Sequence, residues 1–324
     1  MLIRVTDSSE FRALASSPPR ALSIMRVLSI QSHVVQGYVG NKSAVFPLQL
    51  LGFDVDMINS VQFSNHTGYG NGWTGTVLQG DELLSLTDGL AKNNLISHSH
   101  LLTGYIGSPS FLKAVTQVVA QLKAENSELK YVCDPVLGDN GKLYVPEGLV
   151  KLYQTDIIPL SYMVTPNSFE CELLTGVEVT CMESAQRACD ALHAMGPTVV
   201  VITSMALVGI DDKLTILASV KGGEKWAVDC KKLAGTYTGT GDLVAALLLA
   251  WDTLTEDDVE GRFGRILSKV ASTMGKVIER THEFCAGDTS NIEKRELRLI
   301  QSKRDIESGG GDETDAIVAY QIIL

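Results

Sequence analysis

Apolar residues in this chain follow two rhythms that alternate along most of its length. Short, nearly continuous apolar runs at 26–32, 55–60, 101–103, 131–134, 163–165 and 199–203 predict strands covered on both faces. Between them the spacing changes to three and four. Phe111, Val115, Val118, Val119 and Leu122 define one helical face, and Met182, Ala185, Ala188, Cys189, Leu192 and Met195 define another. Strands alternating with helices predict an α/β fold, a mostly parallel sheet sandwiched between two layers of helices. After Thr203 the order shifts: 214–220 and 225–230 flank Lys221-Gly222-Gly223-Glu224 and read as an antiparallel hairpin. A long apolar helix is expected from Thr240, a second over about 257–283, a flexible acidic loop at 308–315 and an edge strand at 317–324.

Composition narrows this picture in a few places. The 324 residues, 45% hydrophobic and 20% charged, suit one α/β domain over 26–324 with a large core. A net charge of −11, from 27 basic and 38 acidic residues, argues against a nucleic-acid partner, so any anionic ligand must be held by local features. Cys133, Cys171, Cys181, Cys189, Cys230 and Cys285 show no metal or disulfide spacing and read as reduced thiols in a cytoplasmic compartment, Cys133 as core filler. No apolar run reaches the ~18–20 residues of a membrane span, and the protein is expected to be soluble. Residues 1–25 read as a disordered extension. Their Arg and Ser residues resemble a transit peptide that Asp7 and Glu10 contradict, and Met25 is an alternative start.

The candidate chemistry centres on Gly239-Thr240-Gly241-Asp242, placed immediately before the apolar run 243–251. Two readings are open. Bare glycine N–H groups at a helix N-terminus make an anion cradle, beside which Asp242 would accept the proton of a substrate hydroxyl. Alternatively Asp242 simply caps a core helix. In parallel sheets, sites form at the carboxyl ends of strands, which would gather Ser32, Asp134, Thr165 and Thr203 around this turn. Asp134 with Asp139, and Asn167 with Glu170, offer oxygen ligands for magnesium; a turn and a capping arrangement are their structural alternatives. The segment 138–144 is expected to form a mobile flap over a nucleotide.

Seven separated segments, in order, resemble a known family: Ser29-Ile30-Gln31-Ser32-His33-Val34 with Gly37-Tyr38-Val39-Gly40-Asn41, Asn59 through Tyr69, Leu102-Thr103-Gly104-Tyr105, Asp134 through Asp139, Thr165 through Glu170, Val201-Ile202-Thr203-Ser204, and the glycine turn. The chain resembles the pyridoxal kinases of the ribokinase-like superfamily over about 26–306. That resemblance implies ATP-dependent phosphorylation of the 5′-hydroxymethyl group of B6 vitamers, with Asp242 as base. It implies Ser32, Thr67, Tyr105, Gly241 and Asp242 around the vitamer, with Phe63 and Tyr105 as a stacking wall and His33 and His66 in support. Asp134, Asn167, Glu170, Thr203, Ser204, Leu233, Ala234, Thr240 and Gly241 would line the ATP site. Asp134, Asp139, Thr165, Glu170 and Thr203 would serve Mg2+ (or another divalent ion) and a monovalent cation, K+ or Na+. A homodimer is implied as well. Rival readings are a hydroxymethylpyrimidine or sugar kinase with the same phosphate machinery, and a binding protein without turnover.

Overall fold

In the parallel strands, adjacent residues enter opposite cores, as a pleat covered on both faces requires. Leu28 and Ile30 pack into one layer and Val27 into the other; likewise Leu101 opposes Leu102, and Val200 and Ile202 oppose Val199 and Val201. The computed structural model describes residues 25–256, 260–311 and 316–322. The extension expected at 1–25 therefore lies outside the described residues except for Met25.

The strands are β1 (Arg26–Val34), β2 (Asp54–Phe63), β3 (Gly75–Val77), β4 (His100–Thr103), β5 (Lys130–Cys133), β6 (Gly138–Asp139), β7 (Lys142–Leu143), β8 (Met163–Val164), β9 (Val199–Met205), β10 (Lys213–Val220), β11 (Lys225–Lys231) and β12 (Tyr320–Gln321). All but β6 and β7 join one ten-stranded sheet in the order β12-β11-β10-β9-β8-β5-β4-β1-β2-β3. From β9 to β2 the neighbours are parallel, and antiparallel strands finish both sides. The helices are α1 (Asn41–Leu50), α2 (Gly80–Lys92), α3 (Pro109–Glu125), α4 (Gly148–Leu152), α5 (Ser168–Thr175), α6 (Met182–Met195), α7 (Thr240–Leu254), α8 (Arg262–Cys285) and α9 (Lys303–Ser308). Helices α2 to α6 supply one core, while α1 and α7 to α9 supply the other. This is the α/β sandwich expected from the alternating pattern.

Helix α7 is the pivot of the second layer. Every residue from Leu243 to Asp252 is buried, because α1 and α8 flank the helix and β4 and β5 lie beneath it. A helix enclosed in this way has no polar face, which explains the unbroken apolar run. Two expectations need correction. The helix read as starting near 257 begins at Arg262, and 257–259 lie outside the described residues. The stretch read as a flexible loop from 308 starts as packed structure: Ser308 ends α9, and Gly309 and Gly310 are buried, with no room for a methyl group on Gly310 beside Ser272. Residues 312–315 lie outside the described residues, and among the described residues the edge strand covers Tyr320–Gln321.

Candidate active site

A row of backbone hydrogen bonds brings the strand ends together. Gly104 N–H donates to the Ile30 carbonyl (3.2 Å), Asp134 to Thr103 (2.9 Å), Thr165 to Cys133 (3.1 Å) and Thr203 to Pro166 (2.9 Å). Asp134, Thr165 and Thr203 thus stand along one edge of the sheet. The N-terminus of α7 arrives at the same place: a methyl group on Gly241 would lie 3.6 Å from Asp134 Oδ2.

The two glycines of the turn have different jobs. Gly239 is the N-cap, in the left-handed region at φ 85°, and a side chain there would meet the Tyr38 carbonyl at 2.0 Å. Only glycine allows that approach. Gly241 has no such constraint and is exposed, leaving its N–H uncovered. None of the hydrogen bonds among the described residues uses the N–H of Thr240, Gly241 or Asp242 as donor. These are the unpaired donors of a helix start, at the positive end of the helix dipole.

Asp242 does not cap its own helix. It occupies the third helical position, and its Oδ2 accepts the Gly40 N–H at 2.7 Å, across 202 residues of sequence. Gly40 in turn lies against Ser32, whose carbonyl and Oγ would meet any side chain at that position. Ser32, Gly40 and Asp242 therefore form one contiguous wall. Burial pushes the Asp242 carboxyl up to about 6, even though the Gly40 N–H favours its charged form.

Asp134 is held well above the ordinary carboxylate range by burial, and then by the nearby Glu170 and Asp242 carboxylates. None of the ion pairs among the described residues supplies Asp134, Glu170 or Asp242 with a Lys or Arg partner. The buried Thr165 hydroxyl beside them works against the rise at Asp134 by facing its carboxyl. Neighbouring carboxyls without a Lys or Arg partner among the described residues, together with a buried hydroxyl, fit a cation. Among the described residues no three His, Cys, Asp or Glu side chains converge as a chelating set.

Asn167 and Glu170 do form the capping box that is their structural alternative: Asn167 Oδ1 accepts Glu170 N–H and Glu170 Oε2 accepts Asn167 N–H, both at 2.9 Å. Glu170 Oε1 also accepts from the Leu137 N–H (2.9 Å), and Asn167 Nδ2 donates to the Gly138 carbonyl (2.8 Å). The box thereby anchors the root of the β6–β7 hairpin, the segment expected to be a flap. Burial raises the Glu170 carboxyl to about 7 against these backbone donors, and Asp139 adds to the rise. Asp139 itself turns to its neighbour, accepting from Asn140 N–H (2.8 Å) and Nδ2 (2.9 Å). Ser204 is half-buried on β9. Leu233 and Ala234 lie in the loop after β11, where Tyr237 Oη donates to the Ala234 carbonyl (2.9 Å), with no hydrogen bond to the strand-end group among the described residues.

Tyr105 packs with Val34, Val39, Val61 and Phe63. Phe63, expected as part of a stacking wall, stacks on Trp73 at 4.1 Å and is 7% exposed. Thr67 is exposed, at the tip of a turn closed by the Gly68 N–H donating to His66 Nδ1 at 3.1 Å. Sequence reasoning missed what holds the start of α1. Buried Asn41 Oδ1 accepts from Ser29 Oγ (2.8 Å), and its Nδ2 donates to the Ile58 carbonyl (3.1 Å) and Asn59 Oδ1 (2.8 Å). Its signal was the presence of Asn41 and Asn59 in two separate segments, which local spacing could not join.

A parallel-centred α/β sheet whose strand ends meet a glycine turn, an aspartate and a bare helix N-terminus defines a small-molecule kinase of the ribokinase-like class. The phosphomethylpyrimidine kinase family model matches residues 97–257. The chain is 49% identical over 287 residues to pyridoxal kinase of Arabidopsis thaliana (87% of this chain, 91% of that one). It is 45% identical over 302 residues to pyridoxal kinase of Homo sapiens (87% and 95%). The chain belongs to the pyridoxal kinase family. Its structure is similar to that of pyridoxal kinase from Leishmania donovani in complex with ADP and pyridoxamine: TM-score 0.83, 34% identity, covering 92% of this chain and 98% of that one. The same L. donovani enzyme in complex with ADP and pyridoxine matches equally well, with TM-score 0.83. Among the described residues no helix is long and apolar enough to cross a membrane.

Proposed function

We propose that this chain transfers the γ-phosphoryl group of ATP to the 5′-hydroxymethyl group of pyridoxal, pyridoxine and pyridoxamine, with Asp242 as the general base. The observation that carries the assignment is the orientation of Asp242. Its Oδ2 is held by the Gly40 N–H, while Oδ1 has no partner among the described residues, and the residue itself sits in the first turn of α7. A vitamer hydroxyl placed at Oδ1 gives up its proton as its oxygen bonds to phosphorus, and ADP leaves. The Thr240, Gly241 and Asp242 N–H groups are fixed in advance for the charge that spreads over the moving phosphoryl oxygens. Ser32, Thr67 and Tyr105 orient the ring. Asn167, Ser204, Leu233 and Ala234 complete the nucleotide side. Asp134 and Thr165, with Asp139, Glu170 and Thr203 around them, would hold magnesium and a monovalent cation. When bound, these ions neutralise phosphate charge. A homodimer and a cytoplasmic location belong to the same proposal, the first checked by light scattering and the second by cell fractionation.

The match to a phosphomethylpyrimidine kinase model makes the pyrimidine alcohol the competing substrate. Initial rates with pyridoxal, pyridoxine, pyridoxamine, hydroxymethylpyrimidine and ribose decide it. At least roughly tenfold higher kcat/KM for the vitamers is expected, since a site fitted to ring substituents discriminates on that scale. A preference for the pyrimidine would replace this reading.

The raised carboxyl of Asp242 also sets a pH dependence. A base must be ionised, so kcat/KM is expected to rise with pH through about 6 and level off above 7. A flat profile between pH 5 and 7 would remove Asp242 from the base role.

A further inference from the structure

Glu296 is a carboxylate far from the expected motifs, and it is 4% exposed. It follows the short helical turn Glu293–Arg295 and precedes Leu297 and Leu299, both fully buried in the α7–α8 core, so its backbone stands on a rigid mount. Its side chain reaches 258 residues back, where Oε2 accepts the Tyr38 N–H at 2.8 Å. Oε1 accepts from Tyr69 Oη at 3.1 Å and lies 3.3 Å from His66 Nε2. Gly37 makes room for it, since a methyl group there would sit 2.5 Å from Oε1.

These contacts point in two directions, and both lead to the site. Because His66 Nδ1 accepts the Gly68 N–H, the ring proton resides on Nε2 and is directed at Glu296. The ring is thus clamped between Glu296 and the turn whose tip is Thr67. On the other side, the Tyr38 N–H lies two residues before the Gly40 N–H that holds Asp242. We propose that Glu296 is a positioning residue for vitamer binding, which sets Thr67 through the His66 ring and steadies the segment 38–40 that orients Asp242. The proposal rests on the reading of Thr67 and Asp242 as facing the vitamer. Glu296 touches neither of them.

The test is equilibrium titration of the full chain with pyridoxal in the absence of ATP, followed by steady-state kinetics in both substrates. Titration of the wild-type chain checks the substrate assignment separately, and no turnover is needed for either reading. In Glu296→Gln the pyridoxal Kd and KM are expected to rise roughly tenfold, with KM for ATP within about twofold of wild type. A residue that only supports the fold would not split the two substrates in this way. Thr67→Ala should weaken pyridoxal binding similarly, and the double variant should lose less than the sum of the two single losses, because sites coupled through one arm of the network are not additive. If Glu296→Gln does not fold, His66→Ala decides, since it leaves Glu296 its bonds to Tyr38 and Tyr69; the same loss of pyridoxal affinity is expected. Unchanged vitamer affinity in either folded variant, or fully additive losses with Thr67→Ala, overturns the proposal.

Discussion

Replacing Asp242 with asparagine lowers kcat by roughly 10²–10⁴, the range for loss of a positioned general base, while the protein stays folded and ATP affinity is kept. Asparagine has the same shape, and its carbonyl oxygen can still accept the Gly40 N–H that Asp242 Oδ2 accepts at 2.7 Å. What it lacks is a site for the proton. The stability change runs the opposite way from the activity change. The folded-state carboxyl titrates at about 6, above its ordinary value of 3.8, because burial disfavours the charged form. Its contribution to stability is therefore full below pH ~4 and lost as pH rises through 6, so at pH 8 the ionised group is a liability. Asparagine carries no such charge. At pH 8 the variant should melt at or above the wild-type temperature, and its advantage should shrink towards pH 4. An inactive but stable variant identifies a functional carboxylate; an inactive and unstable one would make Asp242 a structural residue, and near-normal turnover would end the base assignment.

How far the sequence could lead depended on the range of the interaction concerned. The parallel strands and the faces of α3 and α6 were legible because burial on two faces, or on one helical face, writes its period directly into neighbouring residues. Phe111, Val115, Val118, Val119 and Leu122 are all 2% exposed or less, as their spacing predicts. Helix α1 was not legible: it carries Pro47 in its interior, and its start depends on the Asn41 network with β1 and β2 rather than on a local cap. Helix α2 buries only Gly80, Leu83 and Thr87, too thin a stripe to read. At the site, the spacing of Asn167 and Glu170 announced a capping box, but not that Glu170 also reaches Leu137 to anchor the hairpin. The choice between cap and base for Asp242 could not be made from local sequence, because the group its carboxylate bonds is Gly40, 202 residues earlier. Glu296 escaped notice for the same reason. Its partners Tyr38, His66 and Tyr69 all lie near the other end of the chain.

The glycine turn separates two effects that a single inactive variant would confuse. Gly239→Ala places a methyl group 2.0 Å from the Tyr38 carbonyl and asks an L-residue to hold φ 85°. Strain of this kind and forced displacement together cost about 2–4 kcal/mol. Tyr38 cannot step aside freely, because Glu296 holds its N–H and Asp242 holds the N–H of Gly40. The obstruction must therefore push the segment 38–40 and the start of α7 apart and break the contact that orients the base. Gly239→Ala is expected to lower the unfolding free energy by that amount and kcat by at least about 10², because misplacing reacting groups by ~1 Å has that effect. Gly241→Ala is the control. It has no left-handed backbone to strain, and its methyl group would rest at an ordinary 3.6 Å from Asp134 Oδ2. Alanine also favours the helix. That variant should fold at least as stably as wild type yet bind ATP more weakly, since the added group stands beside the uncovered N–H donors. Denaturant melts and separate KM values for ATP and pyridoxal distinguish the two. If both variants lost stability alike, or if Gly241→Ala left KM for ATP unchanged, the N-terminus of α7 would not be the phosphate cradle.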